Sequence, residues 1–246
     1  MRFLLVFAVL GMSLLFTACE SDDDGEEPPR PDRGDTYLRI VHAAPGLPEV
    51  ELYADYLEVK TRITPAMSYM QAFPDSNYLM LEATIPSDEF GNPTYTLQAH
   101  FPSDSLGLYN KIDRVEPITL LLQENMHYSV WMVDSTGGKK RFVFQEDPEP
   151  NYADSTAGLI RFANLSPTEG IRLDYIALSD SNSAQIGAQG IYQFSGYQGT
   201  AADLYRLEAY DADGNLVGVH PNMRIRPQSA ATVYYDGDNL GFAFME

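Results

Sequence analysis

Four histidines, one cysteine and 35 carboxylates are the side chains of this 246-residue chain best suited to chemistry. Zinc sites draw on His and Cys at short spacing, and His42, His100, His127 and His220 stand far from one another and from Cys19. A serine nucleophile in a Gly-x-Ser-x-Gly elbow does not occur. Carboxylates are numerous enough for a glycosidase pair, which needs a defined separation and one raised pKa; sequence leaves that pair open. Asp211, Asp213, Asn215, Asp236 and Asp238 could offer oxygens to calcium. The run Asp211-Ala212-Asp213-Gly214-Asn215 lacks the closing Glu of an EF-hand, however, and reads as a turn. The expectation is a protein with no catalytic residue, no metal and no cofactor, and not an enzyme.

Recognition then falls to aromatic rings, which can stack on sugars or anchor a protein interface. Tyrosines gather late in the chain, at Tyr192, Tyr197, Tyr205, Tyr210, Tyr234 and Tyr235, while Tyr95 and Tyr109 flank a long middle stretch. Tyr95, Tyr109, Trp131 and Tyr197 are the expected ligand-binding residues, for a glycan or an envelope protein. Loops on a rigid scaffold commonly carry such recognition.

Cys19 has a different explanation. Arg2, an apolar run from Phe3 to Phe16, and the small residues Thr17 and Ala18 precede it, the layout of a secretory signal peptide. The run is too short for a spanning helix, which needs ~20 residues. Leu15-Phe16-Thr17-Ala18-Cys19 resembles the bacterial lipobox, which implies lipidation of the Cys19 thiol and cleavage before it. Each buried methylene contributes about 0.8 kcal/mol, so two or three acyl chains hold firmly. Ser21-Asp22-Asp23-Asp24 resembles the surface-export signal of lipoproteins of the Bacteroidota. The location expected is the outer membrane, lipid-anchored and facing the cell surface, with the periplasmic face as the alternative.

A net charge of −19 opposes binding to phosphate backbones and to anionic lipid, leaving the acyl group as the membrane contact. One cysteine allows no internal disulfide, so stability must come from core burial. The elements that bury it are read from period-two alternation, in which Leu38 and Ile40 share one strand face and Arg39 takes the other. Ile160 and Phe162 against Arg161 repeat the pattern.

That repetition is general. Leu38-Arg39-Ile40-Val41-His42-Ala43-Ala44-Pro45 matches Ile160-Arg161-Phe162-Ala163-Asn164-Leu165-Ser166-Pro167, and Val50-Glu51-Leu52-Tyr53 matches Ile171-Arg172-Leu173-Asp174. Tyr128-Ser129-Val130-Trp131 matches Ala231-Thr232-Val233-Tyr234, and Phe142-Val143-Phe144 matches Phe242-Ala243-Phe244. Leu207-Glu208-Ala209 pairs equally well with Leu81-Glu82-Ala83 or Leu97-Gln98-Ala99, and the first copy holds an insertion between about Ile85 and Pro117. His42 and Asn164 occupy one position, so hydrogen bonding of the turn at the strand end is expected of both.

The expected fold is all-β: two tandem immunoglobulin-like antiparallel β-sandwich domains. Residues 1–18 read as signal peptide, 19–36 as a disordered acidic tether, 37–145 as the first sandwich, 146–157 as linker and 158–246 as the second. The phrase Arg39-Ile40-Val41-His42-Ala43-Ala44-Pro45 followed by Val50-Glu51-Leu52-Tyr53 resembles the opening of the bacterial domain-of-unknown-function family 4397. That resemblance implies a secreted or anchored immunoglobulin-like module without established catalysis. The function expected is a lipid-anchored binding or presentation module. The alternatives are a structural or accessory lipoprotein of an envelope or nutrient-uptake complex, and an acidic-site hydrolase.

Overall fold

The computed structural model describes residues 35–56, 59–74, 79–82, 95–102, 112, 115–135, 137–152 and 154–245, all within one compact unit, Arg33–Glu246. Cys19, the stretch read from sequence as a signal peptide and all of the expected tether but Asp35 and Thr36 lie outside the described residues, as does Tyr109. Every regular element among the described residues is a strand, so the fold is all-β. In chain order the first nine are β1 (Asp35–His42), β2 (Glu51–Tyr56), β3 (Val59–Arg62), β4 (Ala72–Phe73), β5 (Leu79–Glu82), β6 (Tyr95–His100), β7 (Ile118–Leu120), β8 (His127–Asp134) and β9 (Lys140–Glu146). The next nine are β10 (Ala157–Asn164), β11 (Ile171–Ala177), β12 (Ser183–Gln189), β13 (Gln193–Phe194), β14 (Gln198–Ala201), β15 (Leu204–Tyr210), β16 (Leu216–Arg224), β17 (Ala230–Tyr235) and β18 (Leu240–Met245).

The second nine repeat the pairing of the first. One sheet runs β4-β1-β8-β9 with β5 also on β1, and a second runs β3-β2-β6-β7; their counterparts are β13-β10-β17-β18 with β14 on β10, and β12-β11-β15-β16. Most pairs are antiparallel, as expected, but β1 runs parallel to β8 and β10 parallel to β17. The strand that opens each half thus lies beside one near its close. Such a pairing joins residues about ninety positions apart in the first half, beyond the reach of any local sequence signal.

Register resolves the alignment between halves. Leu52 faces Ala99 and Leu173 faces Ala209, so Leu207-Glu208-Ala209 corresponds to Leu97-Gln98-Ala99. The closing strands need a correction. Val130 pairs with Phe144 and Val233 with Phe242, which makes Phe144 rather than Phe142 the counterpart of Phe242. The extra length of the first half falls in two places. Residues 83–94 separate β5 from β6 where 202–203 separate β14 from β15, and 101–117 join β6 to β7 where 211–215 join β15 to β16.

Alternation explains how the strands are used. Leu38 and Ile40 enter an apolar core with Leu52, Leu97, Val130 and Phe142, while Ile160 and Phe162 enter a second core with Leu173, Leu207 and Val233. Both faces of β1, β8, β10 and β17 are nonetheless buried. Their other faces meet: Val41, Ala43, Trp131 and Val133 pack with Ala163, Leu165, Tyr234 and Ala243 in a third apolar cluster. The halves are joined by this seam, which no single-copy pattern announces.

A polar chain runs through the seam. Arg161, 1% exposed, donates through Nη2 to Asp147 Oδ1 and through Nε to Thr232 Oγ1 at 2.8 Å. Ser129 Oγ donates to the same Asp147 oxygen at 2.9 Å and accepts from Trp131 Nε1 at 2.8 Å. The rings of Phe194 and Tyr197 lie 5.4 and 4.9 Å from the guanidinium. Asp147 belongs to the polar stretch between the copies, yet it is buried as the counterion of Arg161. At the seam's edge Tyr69 donates its hydroxyl to Asp236, and Tyr192 donates to the Asp134 carbonyl at 2.8 Å.

Candidate functional site

The aromatic residues singled out from sequence do not converge. Tyr95, 7% exposed, belongs to the first core, and Trp131, 1% exposed, lies in the seam against Tyr234 and Phe194. Neither presents a ring to solvent. Tyr197 is half-buried over Arg161, where burial pushes its phenol above the ordinary range and the guanidinium pulls it back.

The histidines are equally dispersed. His42 holds its turn, with Nε2 3.3 Å from the Pro48 carbonyl and Nδ1 accepting from Ala44 N at 3.4 Å. Asn164 does the same work: its Nδ2 donates to the Thr168 carbonyl at 2.6 Å, and its Oδ1 accepts from Ser166 N at 3.1 Å. His100 is buried against Tyr53, His127 stacks on Tyr37, and His220 meets the Phe242 ring edge-on. Among the described residues no three His, Cys, Asp or Glu side chains gather as a metal site.

Several carboxylates hold turns. Asp211 Oδ1 accepts from the N–H groups of Asp213 and Asn215 at 3.0 and 2.8 Å, which accounts for the Asp-x-Asp-Gly-Asn run. Asp236 accepts from Asp238 N and Asn239 N at 2.9 and 2.8 Å. Burial raises its carboxyl above the usual range, and the Tyr69 hydroxyl offsets part of that rise.

A polar cavity forms at an open end of the second half, beside a larger open one of about 650 Å³ that shares Thr200 and Ala201 with it. The β11–β12 hairpin, residues 178–182, is longer than the 57–58 link at the matching place in the first half. Ser181 turns it with a positive φ of 61°, and Ala177 N closes it onto the Asn182 carbonyl at 2.8 Å. Its Ser-Asp-Ser-Asn composition suits a turn. Opposite lies the short β14–β15 link, Ala202 and Asp203. Between them is a cavity of about 240 Å³ whose wall includes Tyr175 and Tyr205, both buried in the second core with their rings edge to face at 5.7 Å.

Hydrogen bonds fix this wall and rim. Tyr205 donates to the Ala201 carbonyl at 2.9 Å and lies 2.8 Å from Thr200 Oγ1. Ser179 donates to Asp203, whose other oxygen accepts from Leu204 N at 2.6 Å. These two donors, the serine hydroxyl first, hold the Asp203 carboxyl below the usual range. Asp180 accepts from Asn182 N at 2.9 Å. Asp203 is therefore a fixed anion at neutral pH, suited to accept hydrogen bonds and unsuited to deliver a proton. Tyr205 had been legible as part of the tyrosine-rich end of the chain. The rim of Ser179, Asp180 and Asn182 had not, because its composition also fits a plain turn.

Neither a protein-family model nor a curated protein matches the chain. Among solved structures, the Bacillus anthracis TIE protein aligns over 85% of this chain and 34% of its own, at 8% identity and a TM-score of 0.25. A leucine-rich repeat protein from Bacteroides thetaiotaomicron aligns over 86% of this chain and 27% of its own, at 9% identity and a TM-score of 0.21. A candidate adhesin from Bacteroides ovatus aligns over 87% of this chain and 94% of its own, at 11% identity and a TM-score of 0.20. The chain spans about a third of the first of these and less of the second. Likenesses this remote carry no argument about function.

Proposed function

We propose that this chain is a lipid-anchored, non-enzymatic binding protein of a bacterial envelope, tethered through Cys19 to the outer membrane and facing the cell surface. Its two halves, 37–145 and 158–246, serve as tandem immunoglobulin-like modules of the kind that family 4397 describes, with 146–157 as their link. The supporting observation is the cavity that the second half holds between its polar hairpin, 178–182, and Asp203. Beneath it Tyr175 and Tyr205 belong to that half's core, as the matching residues Ala54 and Tyr95 belong to the first half's. Asp203 held as an anion favours binding over acid–base hydrolysis at that cavity.

A second reading, a structural or accessory lipoprotein, draws support from the buried seam, because halves pinned through Arg161 and Asp147 make a stiff spacer. The tether is tested in the native host by Cys19→Ser and by globomycin. Both are expected to block maturation, with the Cys19→Ser chain leaving the detergent phase and losing its sensitivity to protease added to intact cells. Unchanged processing and partition of the Cys19→Ser chain would falsify the anchored reading.

A further inference from the structure

We propose that β12 pairs with β12 of a second copy of this chain, antiparallel about a two-fold axis, so that two four-stranded sheets become one. An edge strand offers open N–H and C=O groups to any extended chain, and proteins blunt such edges by charge, proline, shortness or cover. Most sheet edges among the described strands are blunted in these ways. In the first half β3 has four residues and carries Lys60 and Arg62, β7 has three, and β9 carries Lys140, Arg141 and Glu146. The pairs β4 with β5 and β13 with β14 are two or four residues long. β16 contains Pro221, and residues 240–243 of β18 are buried or half-buried. β12 differs: seven residues, Ser183–Gln189, with no charge and no proline, and only Ile186 among them buried.

Alternation along the ladder tells which groups are open. Ala177 N donates to the Asn182 carbonyl, so Ala177 turns its backbone toward β12, and Tyr175 and Leu173 do the same at alternate positions. Their partners Ala184 and Ile186 turn theirs inward to β11. Ser183 and Gln185, opposite Ile176 and Asp174, therefore turn N–H and C=O away from the sheet. A two-fold axis at Ala184 sets Ser183 of each copy against Gln185 of the other, and both residues spend their open groups on one another.

Charge and symmetry select a second copy as the occupant. At a net charge of −19, two copies repel wherever their acids meet. The run from Ser181 to Ala202, which holds β12, is the longest stretch of the chain without a charged residue, so copies can approach there. Exposed apolar residues stand past both ends of the strand, Leu178 before it and Ile191 after it. Antiparallel pairing about Ala184 lays the Leu178 end of each copy beside the Ile191 end of the other. A parallel pair would bring like ends together instead.

The first half supplies the control. Ala54 faces Thr61 as Tyr175 faces Ala184, and Tyr53 faces Arg62 as Asp174 faces Gln185. Thr61 is thus the counterpart of Ala184 on a charged edge, and Arg62 that of Gln185.

Cysteine crosslinking of the full chain in its native host tests the pairing. Residues on the axis of such a pair lie about 4.5 Å apart between Cα atoms, within the roughly 4.4–6.8 Å span of a disulfide. Ala184→Cys is expected to give a dimer under copper–phenanthroline oxidation, seen at twice the mass on a non-reducing gel. Thr61→Cys is expected to stay at the background of the parent, whose one thiol is Cys19. Both positions are exposed, so both variants keep the fold. Adding Gln185→Arg to Ala184→Cys is expected to lower the dimer band about tenfold, the repulsion of two like charges within about 10 Å near a protein surface. A band at Ala184→Cys no stronger than at Thr61→Cys would overturn the pairing, as would a band that Gln185→Arg leaves unchanged. A thiol-to-amine reagent on Ala184→Cys that yields only adducts with other proteins would give the edge to a foreign strand and overturn the second copy as its occupant.

Discussion

One strand order serves both halves, but the residues outside the two cores differ in kind. On the outer face of the first half's four-stranded sheet, Glu51 accepts from the Tyr53 hydroxyl and from Arg62 Nη1, each at 3.0 Å, and Glu51, Tyr53 and His100 are all buried. At the matching positions of the second half stand Arg172, Asp174 and Tyr210. There Arg172 lies over the Tyr210 ring at 4.6 Å, Tyr210 donates to Glu208 at 2.5 Å, and the group is half-exposed. What the halves hold in common is what strand register and core burial demand: Leu52 with Leu173, Leu97 with Leu207, Val130 with Val233. Their divergence lies in hairpins and outer faces, where a change of residue costs little stability. The two halves therefore share a fold without sharing a surface.

The seam offers the strongest way to break this comparison. Arg39 and Arg161 are counterparts, and Arg161 depends on Asp147, a residue of the linking segment. Asp147→Ala leaves a buried guanidinium without its carboxylate and is expected to destabilise the chain by about 3–5 kcal/mol. Urea unfolding followed by the fluorescence of Trp131, the sole tryptophan, reads the loss where it occurs. Adding Arg161→Met is expected to restore most of it, since replacing a buried ion pair by apolar groups is often near neutral. A loss below 1 kcal/mol for Asp147→Ala would mean that the seam is wet in solution and that the halves are held by apolar packing alone.

A smaller effect is expected at Gly241, whose counterpart is Val143. A Cβ on Gly241 would lie 2.4 Å from Tyr234 Cζ and 2.5 Å from its hydroxyl oxygen, whereas Val143 already sits beside Trp131. Gly241→Ala should therefore cost about 1–3 kcal/mol by overpacking. Tyr234→Phe removes a buried hydroxyl that has no hydrogen-bond partner among the described residues, so alone it is expected to be neutral or slightly stabilising. In combination it should relieve part of the Gly241→Ala strain. Additive costs in the double variant would show that the two sites do not touch in the way register implies.

These positions also mark where sequence was informative. The alternation of Leu38, Ile40, Ile160 and Phe162 was legible because burial on one face of a strand writes a period of two. The match of His42 with Asn164 was legible too, and both hold their turns. The offset of Phe242 was not, because Phe-x-Phe recurs in both closing strands and only the ladder decides which phenylalanine faces Val233. Trp131 looked like a binding residue because a strand's second face is normally wet; nothing local records that another half covers it. The cavity was hidden for a related reason. Its wall comes from strands whose tyrosines belong to the core, and its rim from a hairpin that looks like any turn.

Proton binding at the shared turn position sharpens the comparison most gently, since only one half can titrate there. Burial holds the His42 imidazole below its ordinary range; the Pro48 carbonyl raises it somewhat and the Lys140 charge lowers it again. With the folded-state value depressed, the unfolded chain takes up the proton first as pH falls. His42 therefore contributes stability that is complete above about pH 6.5, the unperturbed value, and is lost as pH drops through that value toward the folded-state pKa. The slope is at most about 1.4 kcal/mol per pH unit for one proton. Asn164, making the equivalent bonds in the second half, contributes no such slope. His42→Asn transplants the second half's solution into the first and is expected to cost about 1 kcal/mol at pH 8, while flattening the decline between pH 7 and 5. Burial also lowers His220, which leaves a residual slope that His220→Gln should remove. Asp236, raised by burial, acts with the opposite sign and stays constant across this set of variants, so the difference between parent and His42→Asn isolates the turn. A parent and variant whose urea midpoints fall in parallel from pH 7 to 5 would show that His42 is protonated at no cost in the folded chain, and that the histidine and asparagine turns are equivalent electrostatically as well as in register.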